Sequence, residues 1–324
     1  MNTLKRIILS REAGLALLLA AIIGGFGSTV EYFLDPFNVF DRSRSWIEIG
    51  MIAVPMTLII TTGGIDLSVG AVLALSGSVM GICLNRWGLP VPLAMTACVM
   101  VGLLCGSING SITVWRNIPS FIVTLGMMEA ARGAAYLVSK SQTQYFGGTL
   151  DFLSAPIVAG LSLSFLLAVL SVIVGQVFLS TTRHGRYILA IGANEESARL
   201  SGIPTRRIRF TVFAAAGCLS AMAAPMYCTR LSAANPNDGL GYELQAIAAV
   251  VIGGTSLMGG RGSVLNTFLG VLIIKVLETG LYQIGAQLPT HRLVTGVVIV
   301  AAVIIDVYRR RLASGRRGVT ASAS

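Results

Sequence analysis

Ten apolar windows recur along the chain, at roughly 13–30, 46–62, 68–84, 90–115, 120–139, 157–179, 210–228, 242–259, 264–285 and 292–307, divided by short polar segments. A helix of about 20 apolar residues crosses the ~30 Å hydrocarbon of a bilayer. The pattern therefore predicts an all-α fold, a polytopic transmembrane helix bundle of about 10 spans. One stretch departs from it. From Trp46 to Leu84 the chain is apolar except for Glu48 and Asp66, and as one helix it would rise roughly 58 Å, about two membrane thicknesses. It must turn, and the turn falls at Thr61-Thr62-Gly63-Gly64-Ile65-Asp66-Leu67-Ser68-Val69-Gly70. Unpaired backbone and a carboxylate cannot face lipid, so this break must be lined by protein or by a cavity.

Composition agrees with the windows. Of 324 residues 54% are hydrophobic and only 12% charged, about half the charged share of a soluble domain. Mean hydropathy is +0.77. The 37 glycines suit close helix contact in a membrane. A net charge of +10 raises the question of nucleic acid, but the position of the charges answers it. Lys5, Arg6 and Arg11 precede the first window. Arg183, Arg186, Arg199, Arg206, Arg207 and Arg209 share one central loop, and Arg309, Arg310, Arg311, Arg316 and Arg317 close the chain. With a cytoplasmic N-terminus, 16 of the 24 Lys/Arg fall inside and 6 outside or at boundaries. By the positive-inside rule both termini are expected to be cytoplasmic. The predicted outer loops, 31–45 and 140–156 the longest, are too short to fold as a capture domain. A single transmembrane domain, 1–317, is expected, with a disordered polar tail at 318–324.

Candidate chemistry is sparse. Cys83, Cys98, Cys105, Cys218 and Cys228 are odd in number, lie in or beside apolar windows and form no CxxC, so neither a disulfide frame nor a metal site is indicated. His184 and His291 stand apart from any ligand cluster. The first window lacks a clear small-x-small cleavage site and reads as a retained span. Gly259-Gly260-Arg261-Gly262-Ser263 lacks the lysine of a phosphate loop, so no ATP or other cofactor is expected on this chain. No catalytic constellation is legible. The carboxylates Asp66, Glu129, Glu243 and Glu278 are scattered. Glu129 with Arg132, and Lys275 with Glu278, are three residues apart on one helix and are expected to pair locally. Asp66 lacks a local cation and reads as a helix cap or a gate element.

The loop 180–209 is the other unusual segment. Asn194 is a good N-cap, Glu195 and Glu196 complement a helix N-terminus, Gly202 suits a stop and Pro204 forbids continuation. That predicts a helix of about two turns between spans, either a plain capped surface helix or a docking helix for a partner. A weak repeat, GGxxLxxG, relates 63–70 to 253–260, and matching breaks of this kind mark binding regions in duplicated transporters.

These residues resemble a known family. The break at 61–70, Asn109-Gly110, Pro119-Ser120-Phe121-Ile122-Val123-Thr124-Leu125-Gly126, GANEESARLSGI at 192–203, RLSAANP at 230–236 and GYELQAIAAVVIGGTSLMGGRG at 241–262 are similar to the ribose-type sugar permeases of bacterial ATP-binding-cassette importers. The likeness runs from about 50 to 310. One departure is Ser120, where many members carry a second proline. The resemblance implies a multi-pass permease of the bacterial inner membrane, working as a homodimer or with a related permease. Its partners would be cytoplasmic ATPase subunits, which carry ATP and Mg, and a periplasmic sugar-binding protein. It assigns the coupling role to Asn194, Glu195, Glu196, Ala198, Arg199 and Gly202. Thr61, Thr62, Asp66, Ser68, Asn109 and Asn266 are the expected polar pore or gate residues. Two other classes stay in view, a stand-alone ion-coupled secondary transporter and a membrane-bound lipid-modifying enzyme. The first lacks a carboxylate–His relay and the second lacks catalytic groups.

Overall fold

The computed structural model describes residues 11–158 and 161–287, together with 289–291, 293–298, 300, 301 and 304. The arginines at 309–311, 316 and 317, the tail 318–324 and the N-terminal Lys5 and Arg6 lie outside the described residues, as do seven residues of the window 292–307, whose nine described residues are all helical. The other nine windows each fall on a helix. In chain order these are α1 (Arg11–Thr29), α2 (Pro36–Thr61), α3 (Val69–Asn85), α4 (Val91–Trp115), α5 (Ser120–Ser139), α6 (Leu163–Thr181), α9 (Thr205–Leu231), α10 (Tyr242–Ile252) and α11 (Val264–Gln283). Two helices of the central loop, α7 (Arg183–Ala193) and α8 (Glu195–Leu200), lie between α6 and α9. Six helices are long and apolar enough to cross a membrane, and Trp46–Thr61, Val69–Asn85 and Tyr242–Ile252 are shorter apolar helices. The protein is an all-α, multi-pass membrane protein.

Several boundaries differ from the sequence reading. Residues 36–45, expected in an outer loop, continue α2. The window 242–259 is helical only to Ile252, because Gly254, Gly259 and Gly260 take positive φ and the chain turns repeatedly. The window 157–179 begins with a hairpin, β2 (Pro156–Val158) on β3 (Leu161–Ser162), and its helix starts at Leu163, capped by Ser162. A second small ladder, β1 (Gln144–Tyr145) antiparallel to β4 (Ala233–Ala234), packs on the C-terminal half of α3, where Gly81 meets Gln144 and Ala234.

Two helices make the centre. From Ile47 to Thr62 every residue of α2 is buried, the signature of a helix apolar all round and enclosed by others. It touches α6, α9, α10 and α11. Helix α9 lies against α2 and α3 and packs most extensively on α4. The reason is a run of small residues. Gly102, Gly106 and Gly110 of α4 recur every four residues and face Gly217, Phe213 and Phe210 of α9. A Cβ on Gly102 would strike the Gly217 carbonyl, and one on Gly106 the Phe213 carbonyl. In lipid, where apolar burial gives little preference between helices, such backbone approach supplies the dispersion contacts that hold the pair.

Candidate functional site: the broken span and the junction beneath it

Helix α2 ends at Thr61. Thr62 and Gly63 turn, with Gly63 at φ +81°, and residues 64–68 run non-helical before α3 begins at Val69. An exposed ladder would be untenable inside a membrane, so its backbone groups need partners. Helix α5 provides them: Ser120 Oγ accepts from Ile65 N at 2.9 Å, and Thr124 Oγ1, one turn later, accepts from Leu67 N at 3.1 Å. Ser120, the departure noted in the sequence, thus holds the break in place. Hydroxyls one turn apart on a helix match alternate residues of an extended chain, since roughly 6 Å separates either pair.

Asp66 braces the start of α3, whose N-cap residue is Ser68. Its Oδ1 accepts from Ser68 N at 2.8 Å and from Ser68 Oγ at 2.6 Å. Asn109 of α4 then donates from Nδ2 to Ser68 Oγ at 2.9 Å. Asp66, Ser68 and Asn109 are fully buried and form one network, and the Asn109 Oδ1 has no partner among the described residues. Thr61 and Thr62 spend their hydroxyls on the preceding turn of α2, donating to the carbonyls of Thr57 and Ile59. Asn266 stands elsewhere, at the start of α11, where its backbone N donates to the Ser263 cap and its amide reaches Glu12 of α1. All six expected pore or gate residues are buried within the single chain, and the structure brings three of them together.

Below the break lies a junction of glycines. Gly260 N donates to Thr61 O at 2.9 Å. Gly192, near the end of α7, sits so close to Thr61 O and Gly260 N that no Cβ fits, and Gly259 packs on Gly192 and Gly63. The two segments of the GGxxLxxG repeat therefore meet each other here, with the end of α7 wedged between them. Only glycine permits this three-way backbone approach.

From that junction the chain enters α8. Asn194 Oδ1 accepts from Ser197 N at 2.9 Å, the expected cap. Gly202 at φ +80° ends the helix. Ala198 is buried against the bundle while Glu195, Glu196, Arg199 and Leu200 are exposed. Glu196 and Arg199 pair through two bonds, 2.6 and 3.2 Å, and that pairing holds the Glu196 carboxyl below the usual carboxylate range. Glu195 turns to Arg209 of α9 at 2.8 Å. Beside them a groove of about 380 Å³ is lined by Val114, Asn117, Thr205 and Arg206 together with the four charged residues just named. Sequence reasoning missed two features here. One is α7, whose buried Gly185, Ile188 and Ile191 were readable as a helical stripe. The other is Leu200, 78% exposed at the tip of an otherwise charged helix.

The intramembrane charges divide. Lys275 and Glu278 pair at 2.8 Å as expected, joined by Gln245 of α10. Glu129 and Arg132 do not. Arg132 instead donates from Nη1 to the carbonyls of Pro236 and Asp238, because the 235–238 turn is packed beside α5 and offers two acceptors on one side.

The fold and this site together define a helical membrane protein with an unwound span and an exposed loop helix joined to it. Residues 39–303 match the family model described as branched-chain amino acid transport system / permease component, and the chain belongs to that family. Its curated relatives include the ribose import permease protein RbsC of Bacillus subtilis (strain 168), 38% identical over 285 residues, 85% of this chain and 86% of that one. The fructose import permease protein FrcC of Rhizobium meliloti is 35% identical over 279 residues, 82% of this chain and 76% of the relative. The D-allose transport system permease protein AlsC of Escherichia coli (strain K12) is 36% identical, with 90% of each chain covered. No solved structure matches the chain.

Proposed function

We propose that this chain is the permease subunit of a sugar importer of the ATP-binding-cassette class, forming the path for a monosaccharide delivered by a periplasmic binding protein. The relatives' names, ribose, fructose and D-allose import or transport permeases, favour a sugar over the amino acid in the family description. The observation that carries the mechanism is the continuous linkage from exposed α8 through Gly192 to Thr61 and the broken span. In this reading α8 lies in the cytoplasm of a bacterial inner-membrane protein and sits on an ATPase subunit that carries ATP and Mg. Asn194 and Gly202 fix the ends of that helix, and Ala198 anchors its inner face. Glu195, Glu196, Arg199 and Leu200 meet the ATPase. Closure of two ATPases moves α8, and Gly192 passes the movement to the end of α2 and to the 259–260 turn. Two copies, or this chain and a related permease, enclose the path.

The test replaces Glu195, Glu196 and Arg199 with alanine together. Uptake by cells should be lost, and stimulation of ATP hydrolysis by loaded binding protein should vanish, while the amount of membrane-inserted protein is unchanged. Undiminished uptake by the triple variant would sink the coupling assignment. ATP-independent uptake by the purified chain alone in liposomes would instead establish an ion-coupled transporter.

A further inference from the structure

One face of α5 combines features that lipid does not tolerate. Glu129 is the tenth of its twenty residues, at the middle of a spanning helix. It is exposed, and it makes no hydrogen bond or ion pair with any described residue. Charged side chains at that depth face a bundle interior or a water-filled cavity. Helix α5 packs only on α3 and α4 among the larger contacts, which leaves the Glu129 side uncovered among the described residues. Around it the helix surface is open: a Cβ on Gly126 or on Gly133 would meet nothing within 4 Å.

The polar character continues up the helix. Arg132 is half-buried, and its Nη1 holds the 236–238 turn against α5. Tyr136 donates its hydroxyl to Asn237 Oδ1, and Asn237 is exposed. Residues 129, 132 and 136 follow a helical i, i+3, i+7 spacing, so one stripe carries all three. Leu240 and Leu244, both exposed, lie just beyond the same turn, at the start of α10.

We propose that this stripe is a midplane contact site for a neutral polyhydroxylated solute, with Glu129 as its principal acceptor and the Asn237 amide as a donor. Its chemistry fits such a solute. A sugar hydroxyl both donates and accepts. The carboxylate accepts from two neighbouring hydroxyls, and the Asn237 amide group, whose oxygen is occupied by Tyr136, is left to donate. Arg132 positions the turn that carries Asn237. None of these residues belongs to the buried Asp66–Ser68–Asn109 network, which lies inside the chain. The inference rests on the sugar-permease reading for its ligand, though the water access it requires does not.

The test uses the assembled importer in proteoliposomes, with its ATPase and binding-protein subunits, and radiolabelled D-ribose, D-fructose and D-allose as probes. In Glu129→Cys, a membrane-impermeant methanethiosulfonate should label the new thiol above the wild-type background, and labelling should cut uptake at least tenfold. Glu129→Leu should insert and assemble normally and lose uptake. Glu129→Gln, which keeps one acceptor, should raise KM for the transported sugar more than it lowers the maximal rate. An unlabelled Glu129→Cys, or Glu129→Leu importing at the wild-type rate, overturns the proposal. So does an unlabelled thiol that oxidant links to a second copy, which would place Glu129 in a dry interface. A wild-type assembly that imports none of the three sugars overturns the sugar reading instead, and the labelling result alone then decides water access at Glu129.

Discussion

Asp66 sits fully buried at the break between α2 and α3. Its single oxygen Oδ1 serves both the backbone N and the hydroxyl of Ser68, and Asn109 closes the network from α4. Replacement by Asn keeps an oxygen in that place, so Asp66→Asn should change stability by no more than about 1 kcal/mol, the scale of one neutral hydrogen bond. Alanine removes the acceptor. It leaves a fully buried N–H and hydroxyl with no substitute. Asp66→Ala should therefore be less stable by about 1–3 kcal/mol, the loss expected for an orphaned buried donor. Thermal unfolding of the detergent-purified protein, followed by reaction of its buried cysteines with a thiol-sensitive dye, measures the difference. Cys98, Cys105 and Cys228 are buried and report the opening. An Asp66→Ala protein that melts with the wild type refutes the bracing role of Asp66, as does an Asp66→Asn protein that melts with the alanine variant. Uptake then separates a structural role from gating: an Asp66→Asn protein that is folded yet inactive assigns the charge a part in transport.

Other perturbations test the packing that positions the site. Gly217→Val should prevent α4 and α9 from closing, since even a Cβ there meets the Gly102 backbone, and membrane extracts should contain little folded protein, whereas Gly126→Ala, with open space around it, should express normally. Gly192→Ala should leave the spans intact but displace α7 from Thr61 and Gly260, so the protein should insert and fail to couple ATP hydrolysis to uptake. Lys275→Met should cost about 3–5 kcal/mol by stranding Glu278, and Lys275→Met with Glu278→Gln should recover part of that loss in the same unfolding assay. Ser120→Ala should weaken the break by about 1 kcal/mol through the lost bond to Ile65 N, read as faster hydrogen exchange at residues 64–68.

The apolar windows were legible because lipid imposes a length and a polarity on each span; nine of the ten lie on helices, and the described residues of the tenth are helical too. The cap at Asn194 and the stop at Gly202 were legible for a local reason: both are set by side-chain and φ preferences within a few residues. The partner of Arg132 was not. A local rule pointed to Glu129, yet two carbonyls more than a hundred positions away compete better, and only packing of the 235–238 turn on α5 brings them there. The non-helical run at 64–68 was anticipated as a break, but that Ser120 and Thr124 would satisfy its backbone depends on α5 lying beside it.

What the sequence determined by itself was the solvent and the punctuation: which stretches sit in lipid, where a carboxylate and paired glycines forbid lipid, and which family the chain resembles. What only the tertiary structure decided was who meets whom. Gly63, Gly192 and Gly259 are spread over nearly two hundred residues, only a weak repeat relates the segments of the first and last, and nothing relates Gly192 to either, but they share one backbone junction. Glu129 likewise reads in sequence as one half of a local ion pair, and in the fold it is exposed and forms no ion pair among the described residues. The physical reason is the same in both cases: hydropathy acts on each segment separately, whereas close contact and the satisfaction of a buried polar group depend on the arrangement of all of them.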